Sequence, residues 1–491
     1  MNDAQFLAWL QSSAAYRVVL IEATALVNGV ETMVYMATKP YTTSPSDIPA
    51  NTQYLPIATV GALFTERLSL EGDGALSAGD LEIENVGGAR DDWAGPGFVW
   101  ANRPIRAYIG DLRWPRADFQ MIFNGIIADI APRGRQALVL KLRDKLQRLN
   151  TAISEAKLGG QGEQQDSLLP IALGQVFNVS PLLANAAILK YQVHAGPIAQ
   201  IIEVRDNGAP VAFTADLAAG TFQLSAAPAG VVTASVRGHA AGGYVDTAAQ
   251  LVKRLATGYG KPADRLTDAD IDLANFAAFD AAHPQPMGLH STDRQNVLVA
   301  CQALLGSLGA QLVMSRLGVA RLIQVALPGT GAPAVIRPEH MVSELDPTGR
   351  TDVLGAVKLG FAKSWTAQDA GTLANLPEVH KALFVEEWLT TTRTDAATLA
   401  TYRLNAEPVQ VDTMLITRAD ADAEAQRRLD LWKMPRTTYE FEGVPELLQL
   451  ELGQAVTVYS PRFGMAGGGA GIVISLAPDW NTGRVKVGFL V

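Results

Sequence analysis

Cys301, the chain's single cysteine, is the first candidate nucleophile. Val297, Leu304, Leu305 and Leu308 share its helical face, and no neighbour in sequence would activate a thiolate, so it reads as a buried structural thiol. A single cysteine also excludes a disulfide framework or an all-cysteine metal or iron–sulfur site within one chain. The six histidines (His194, His239, His283, His290, His340, His380) lack metal-ligand spacing such as His-x-x-x-His. Asp420, Asp422 and Glu424 gather carboxylates where a predicted helix starts, and free N–H groups there favour negative charge without any metal. Glu386-Glu387-Trp388 could set an acid beside a sugar-stacking ring, as glycosidases do. Adjacent residues on a strand face opposite ways, however, which argues against that use. Gly306-Ser307-Leu308-Gly309 looks like half a nucleophile elbow but sits at a helix end without the preceding glycine. The glycine-rich run 464–471 lacks the Gly-Lys-Ser/Thr of a phosphate loop and leads into a strand, so it reads as a loop tip. Asn178-Val179-Ser180 matches a glycosylation triplet, which carries no meaning without a secretory signal. The residues therefore predict no catalytic group, no metal and no cofactor: a protein that is not an enzyme.

Composition sets the outer bounds. At 491 residues the chain is long enough for two to four domains. With 48% hydrophobic and 18% charged residues it is globular, not disordered. A net charge of −9, spread without basic blocks, argues against a nucleic-acid binder. The N-terminus shows no secretory signal, and no apolar run is long enough to span a membrane.

Two stretches organise the chain. Gly125-Ile126-Ile127-Ala128-Asp129-Ile130-Ala131-Pro132 recurs as Gly471-Ile472-Val473-Ile474-Ser475-Leu476-Ala477-Pro478, sharing its glycine, first isoleucine, alanine and proline. Each copy follows a strand-like run (104–110; 454–460) and precedes a turn glycine (Gly134; Gly483) with further apolar–polar alternation. Period-two patterning between turns predicts antiparallel strands, so segments 104–142 and 454–490 are expected to adopt one strand arrangement twice.

Around these copies the rest falls into order. A short helix is predicted over 2–12, strands over 16–26 and 32–37 about an Asn28-Gly29 turn, and strands over 65–70 and 80–85. A compact β-module follows 167, with a second hairpin turn at Asn207-Gly208. Period 3.6 then predicts helices from Asp246 or Thr247 onward and over 293–308, the latter followed by strands 311–315 and 319–325. A strand over 353–361 and a helix over 420–433 precede the closing β-run. The fold class is therefore mainly β with α+β regions. Its expected domains are a β-barrel-like domain (1–163), an inserted small β-module (164–240), an α+β helix and hairpin domain (241–345) and a second, related barrel-like domain (346–491).

Several runs resemble tail-tip or baseplate hub proteins of long-tailed, siphovirus-like bacteriophages. The run from Gly174-Gln175-Val176-Phe177 to Pro181, then Tyr191-Gln192-Val193-His194-Ala195-Gly196-Pro197-Ile198 and Val204-Arg205-Asp206-Asn207-Gly208, is similar to an inserted module of those proteins. Segment 293–325 and the closing run from Leu452-Gly453-Gln454 to Asp479-Trp480-Asn481 are similar to their hub domains. The resemblance implies a structural virion protein, made in the host bacterial cytoplasm, that forms a ring linking the tail tube to receptor-binding or fibre-bearing parts. In such hubs two barrels per chain let a trimer present six similar units to a sixfold tube. Implied partners are copies of itself, distal tail or tube ring proteins, tail fibre or receptor-binding proteins and the tape measure protein. Peptidase, lysozyme and iron–sulfur functions of some relatives have no matching motif here.

The loops before the echoed glycines each combine arginine with an aromatic residue, a pairing enriched at interface hot spots. Arg113, Trp114 and Arg116 in one, and Arg462 and Phe463 in the other, are the candidate interface residues. An ordinary pair of solvent loops remains the alternative for each. At the level of function the alternatives are a hexameric distal tail ring protein and a carbohydrate-binding or polysaccharide-processing protein.

Overall fold

The computed structural model describes residues 3–12, 14–61, 63–70, 77–160, 164–373, 376–405 and 407–491. The chain divides into two compact units, one of 1–148, 313–351 and 436–491, the other of 149–312 and 352–435. Both ends of the chain thus belong to the first unit, and the segments 241–345 and 346–491 are each shared between the two.

In the first unit, strands Arg17–Val27 and Val30–Ala37 pair about Asn28 and Gly29, whose φ of +48° and +87° are those a two-residue hairpin loop requires. An eight-stranded sheet holds the strands Ala78–Glu84, Ala137–Arg143, Gln120–Pro132 and Arg103–Asp111 side by side in that spatial order, antiparallel throughout. A seven-stranded sheet repeats the order with Thr437–Gly443, Arg484–Leu490, Gly469–Asp479 and Gln454–Val458. The echo in sequence is therefore an echo in topology.

It extends to the detail of the backbone. Pairing slips between Ile127 and Asp129 in one copy and between Val473 and Ser475 in the other, leaving Ala128 and Ile474 as bulge residues, each three places after its glycine. A Cβ on Gly125 would lie 2.7 Å from the Arg143 carbonyl oxygen, and one on Gly471 2.5 Å from that of Leu490. Arg143 and Leu490 pair with Ile126 and Ile472, the residues following the two glycines. The copies differ at one flank, where Arg17–Val27 runs antiparallel to its neighbour and Thr330–Ile336 runs parallel.

Ile21, Leu81, Phe123 and Leu140 of the first sheet and Phe441, Val473, Val487 and Phe489 of the second belong to a single apolar cluster. Each such side chain removed from water contributes about 1.5–3 kcal/mol. The helix Asp3–Gln11 adds Leu10 to this cluster, with Phe6 and Trp9 packed against it. The strand expected over 65–70 shrinks to Glu66–Arg67 and pairs with Ser475 and Leu476, in the sheet of the second copy. Local alternation could not reveal that partner, because it reports a strand's faces and not its neighbour.

The second unit contains the β-module. Ile171–Val179, Ile198–Asp206 and Val232–His239 form a sheet that Gly288–Ser291 extends, and a four-stranded sheet centred on Lys190–Gln192 and Thr221–Leu224 accompanies it. Their core includes Val176, Val193, Val204, Phe222 and Val236. Asn207 and Gly208 make the expected turn, at φ of +46° and +79°. Helix Val297–Gly306 starts later than the expected 293, because the Asn296 side chain accepts from the Leu298 and Val299 N–H groups and so caps it. Helix Arg418–Trp432 packs Ala425 and Leu429 on Val357 and Leu359 of strand Ala356–Phe361.

Candidate functional site

The two loops that precede the echoed glycines join equivalent strands: 112–119 connects Arg103–Asp111 to Gln120–Pro132, and 459–468 connects Gln454–Val458 to Gly469–Asp479. Their side chains are used differently.

In the first loop Asp111 is fully buried and organises the turn. Its carboxylate accepts from Arg113 Nε at 2.7 Å and Nη2 at 2.8 Å, from Trp9 Nε1 at 3.1 Å, and from the backbone N–H groups of Tyr16 and Arg113. The Arg113 hydrogen bonds lead in holding this carboxyl well below the usual range, against the opposing effect of burial. The Arg113 guanidinium stays largely exposed and lies 5.0 Å from the Tyr16 ring centroid. Trp114 is half-buried, its ring 4.5 Å from that of Trp9 and packed on the cluster of Val18, Tyr41, Tyr54 and Phe119. Arg116 turns inward: its guanidinium pairs with Glu22 at 2.8 Å and lies 3.7 Å from the Tyr108 ring centroid, with only 11% of the side chain exposed. Burial works against that charge, and the bonds to Glu22 and Tyr54 overcome it, raising the Arg116 pKa. Arg113 is therefore the candidate on this loop that offers its charged group outward, and Arg116 and Trp114 largely hold the loop in shape.

In the second loop Phe463 has a φ of +57°, a left-handed conformation that costs a bulky residue about 1–2 kcal/mol. Its side chain is 40% exposed, bounded by the Tyr439 ring at 5.3 Å and the Arg462 guanidinium at 5.0 Å. Arg462 and Phe463 together present an exposed cation and aromatic face.

The chemistry-bearing residues are engaged structurally. Cys301 is buried in the apolar face of its helix, and burial pushes its thiol pKa up, away from a reactive thiolate. Ser307 Oγ donates to the Ala303 carbonyl and accepts from Met414 N–H. Glu424 is buried between Arg427 and Arg428, both at 2.7 Å, and Asp420 closes a cap with Thr417. Residues 386–388 lie between helix Glu378–Val385 and strand Leu389–Thr394, not on a strand as expected, and Glu387 pairs with Lys363 at 3.3 Å. Asn178 is buried, its amide donating to Ser364 Oγ and the Leu383 carbonyl. Among the described residues no group of three or more His, Cys, Asp or Glu is gathered to hold a metal ion, and no helix is long and apolar enough to cross a membrane.

Two groupings escaped the sequence reading. His194 Nε2 and His239 Nδ1 are 3.1 Å apart, and Tyr259 Oη is 2.7 Å from the latter. Burial pushes His194 down to about 3, so this row is neutral at physiological pH. The other is a cleft around His290 and Trp365. Both assemble residues far apart in sequence, and no spacing rule detects such meetings.

No protein-family model matches the sequence, and no curated protein is significantly similar to it. Among solved structures, the chain is similar to the tail protein from Neisseria meningitidis MC58, with 9% identity over 96% of each chain and a TM-score of 0.40. It is also similar to the 43 kDa tail protein of prophage MuSo2 from Shewanella oneidensis, with 11% identity over 97% of each chain and a TM-score of 0.40. A third is a chain of the native gene transfer agent virion, with 14% identity over 70% of this chain and 91% of that one, at a TM-score of 0.44.

Proposed function

We propose that this chain is a structural component of a phage-type tail, and within it a hub ring between the tail tube and the fibre-bearing or receptor-binding parts. The observation that carries the reading is the duplicated four-strand arrangement, with its bulge and its close-packed glycine in both copies. A chain with two such sheets can meet a sixfold tube as a trimer, three copies presenting six similar units; a chain with one would need six copies. Its partners are then other copies of itself, ring proteins of the distal tail and tube, and tail fibre or receptor-binding proteins, with the tape measure protein in the channel. The reading also holds that the chain catalyses no reaction, which the structural engagement of Cys301, Ser307, Glu387 and Glu424 supports.

Imaging of assembled particles tests the first part: three copies per ring, with both sheets of each chain facing the tube, are expected. Six copies per ring would replace the hub with a distal-ring component. For the second part, purified protein incubated with peptidoglycan, polysaccharide and protein substrates is expected to release product at the buffer rate. Turnover abolished by one Asp, Glu or Ser substitution would overturn it.

A further inference from the structure

Within the second unit, the end of strand Ile171–Val179, the loop after Gly288–Ser291 and the loop after Ala356–Phe361 enclose a cleft of about 560 Å3. This falls inside the range of about 300–1,000 Å3 found for small-molecule sites. Much of its wall is hydroxyl and amide: Ser180, Ser291, Thr292 and Gln295 line it. One acid and one base, Asp293 and Arg294, balance in charge, and one indole, Trp365, supplies an apolar face.

The surroundings of the indole are set before any ligand arrives. The Trp365 backbone N–H donates to the Phe177 carbonyl at 3.1 Å, Lys363 Nζ lies 4.4 Å from the Trp365 ring centroid, and Lys363 pairs in turn with Glu387 at 3.3 Å. His290 meets the indole edge-on at 5.7 Å and 69°. Burial pushes His290 down to about 4, so the ring is neutral at pH 7 and presents one donor and one acceptor. Its Nε2 is buried, and no protein group bonds it among the described residues. An orphaned buried polar atom costs about 1–3 kcal/mol, which a ligand hydroxyl reaching it would recover.

From these observations we infer that the cleft binds a neutral pyranose unit of a glycan. A sugar ring carries hydroxyls that donate and accept, as serine, threonine and glutamine side chains do, and an apolar C–H face that suits an indole. Vicinal hydroxyls suit the Asp293 and Arg294 pair. A phosphate or carboxylate ligand would meet Asp293, and Arg294 is the one cation among the lining residues to offset it. The site lies outside the interface loops and does not depend on the tail reading.

The test uses the full chain and the methyl glycosides of glucose, galactose, mannose, N-acetylglucosamine and rhamnose. Saturation-transfer NMR detects contact and calorimetry gives the affinity. At least one glycoside is expected to bind saturably. Arg294→Ala and Thr292→Val, both on the exposed lip, are expected to weaken it at least about tenfold, the effect of losing one good hydrogen bond, with the melting temperature unchanged. Trp365→Phe tests the stacking face and is expected to bind more weakly than wild type. No saturable binding by any glycoside, equal binding in the lip variants, or binding of inorganic phosphate in place of sugars would each overturn the inference.

Discussion

Arg316 forms an ion pair with the buried Glu66, with Nη1 3.2 Å from Oε2 and the Arg316 backbone N–H donating to Oε1 at 2.8 Å. The same guanidinium donates to the Leu448 carbonyl at 2.9 Å, and the Arg316 carbonyl accepts from Asn124 N–H. One residue, through its side chain and its backbone, thus ties the Glu66–Arg67 strand, the strand of the first echo and the turn at 445–449 together inside the first unit. Breaking a buried pair leaves its partner uncompensated, so Arg316→Ala is expected to cost about 3–5 kcal/mol. Burial already raises the Glu66 pKa. A raised carboxyl pKa in the folded state destabilises the fold above that pKa, and the penalty fades as pH falls and the group protonates. The Arg316→Ala deficit, read by urea unfolding, should therefore shrink from pH 8 to pH 5; a pH-independent deficit would show that Glu66 is not the charge left behind.

The echoed glycines predict matched costs. A methyl group at either place meets a backbone carbonyl of the neighbouring strand, which cannot swing away as a side chain can. Gly125→Ala and Gly471→Ala are each expected to lower stability by about 1–3 kcal/mol. Denaturation of the two single variants checks this, and a silent substitution at one site would mean that its copy lacks the tight approach.

What the sequence disclosed follows from which forces are local. Asn28-Gly29 and Asn207-Gly208 could be placed as turns because their backbone angles are set by the residues themselves. Gly125 and Gly471 were legible as a repeat because one local geometry, a bulge beside a close strand, constrains a short run in both places. The pairing of Glu66–Arg67 with Ser475 and Leu476, and the inward turn of Arg116 onto Glu22, are contacts between residues distant in sequence. For the candidate site, residue type alone grouped Arg113, Trp114 and Arg116. Burial separates them: Arg113 stays exposed, whereas Trp114 has Trp9 to pack on and Arg116 has the partly buried Glu22 carboxylate within reach. The His290 and Trp365 cleft had no sequence signal, since its residues come from three stretches far apart in the chain.

Asp144 supplies a pH prediction. Its buried carboxyl accepts from Ser77 N–H at 2.7 Å and Leu146 N–H at 2.9 Å, yet burial pushes it up to about 7. Below its unfolded value near 3.8 both states are protonated and the group is neutral in effect. From there up to about 7 the unfolded chain releases a proton that the folded state retains, so stability falls over that window by up to about 4 kcal/mol and levels off above it, where both states are ionised. Asp144→Asn removes the titration but sets an amide N–H against one backbone donor. The variant is expected to be less stable than wild type at pH 5 and to close the gap by pH 8.5. Parallel stability curves for the two proteins would rule the assignment out.

Phe463 offers the cleanest test of the interface loops. Trp114→Ala would remove packing on Trp9 and the apolar cluster behind it, so a loss of assembly there could follow from a loosened fold. Phe463 is different, because its backbone is left-handed and its ring is 40% exposed. Glycine adopts that backbone without the penalty a side chain incurs, which offsets the lost contacts with Tyr439 and Arg462 and the added freedom of the unfolded chain. Phe463→Gly is therefore expected to shift stability by less than about 1 kcal/mol. An exposed aromatic beside an arginine is at the same time the kind of group whose removal weakens an interface by about 2 kcal/mol or more. If the loop meets a neighbouring subunit or tail ring, the variant should melt like wild type and form rings at least about tenfold less readily. Combining it with Arg113→Ala, at the equivalent loop of the first copy, should deepen the defect. Rings of wild-type abundance and stability from the double variant would remove both loops from the interface.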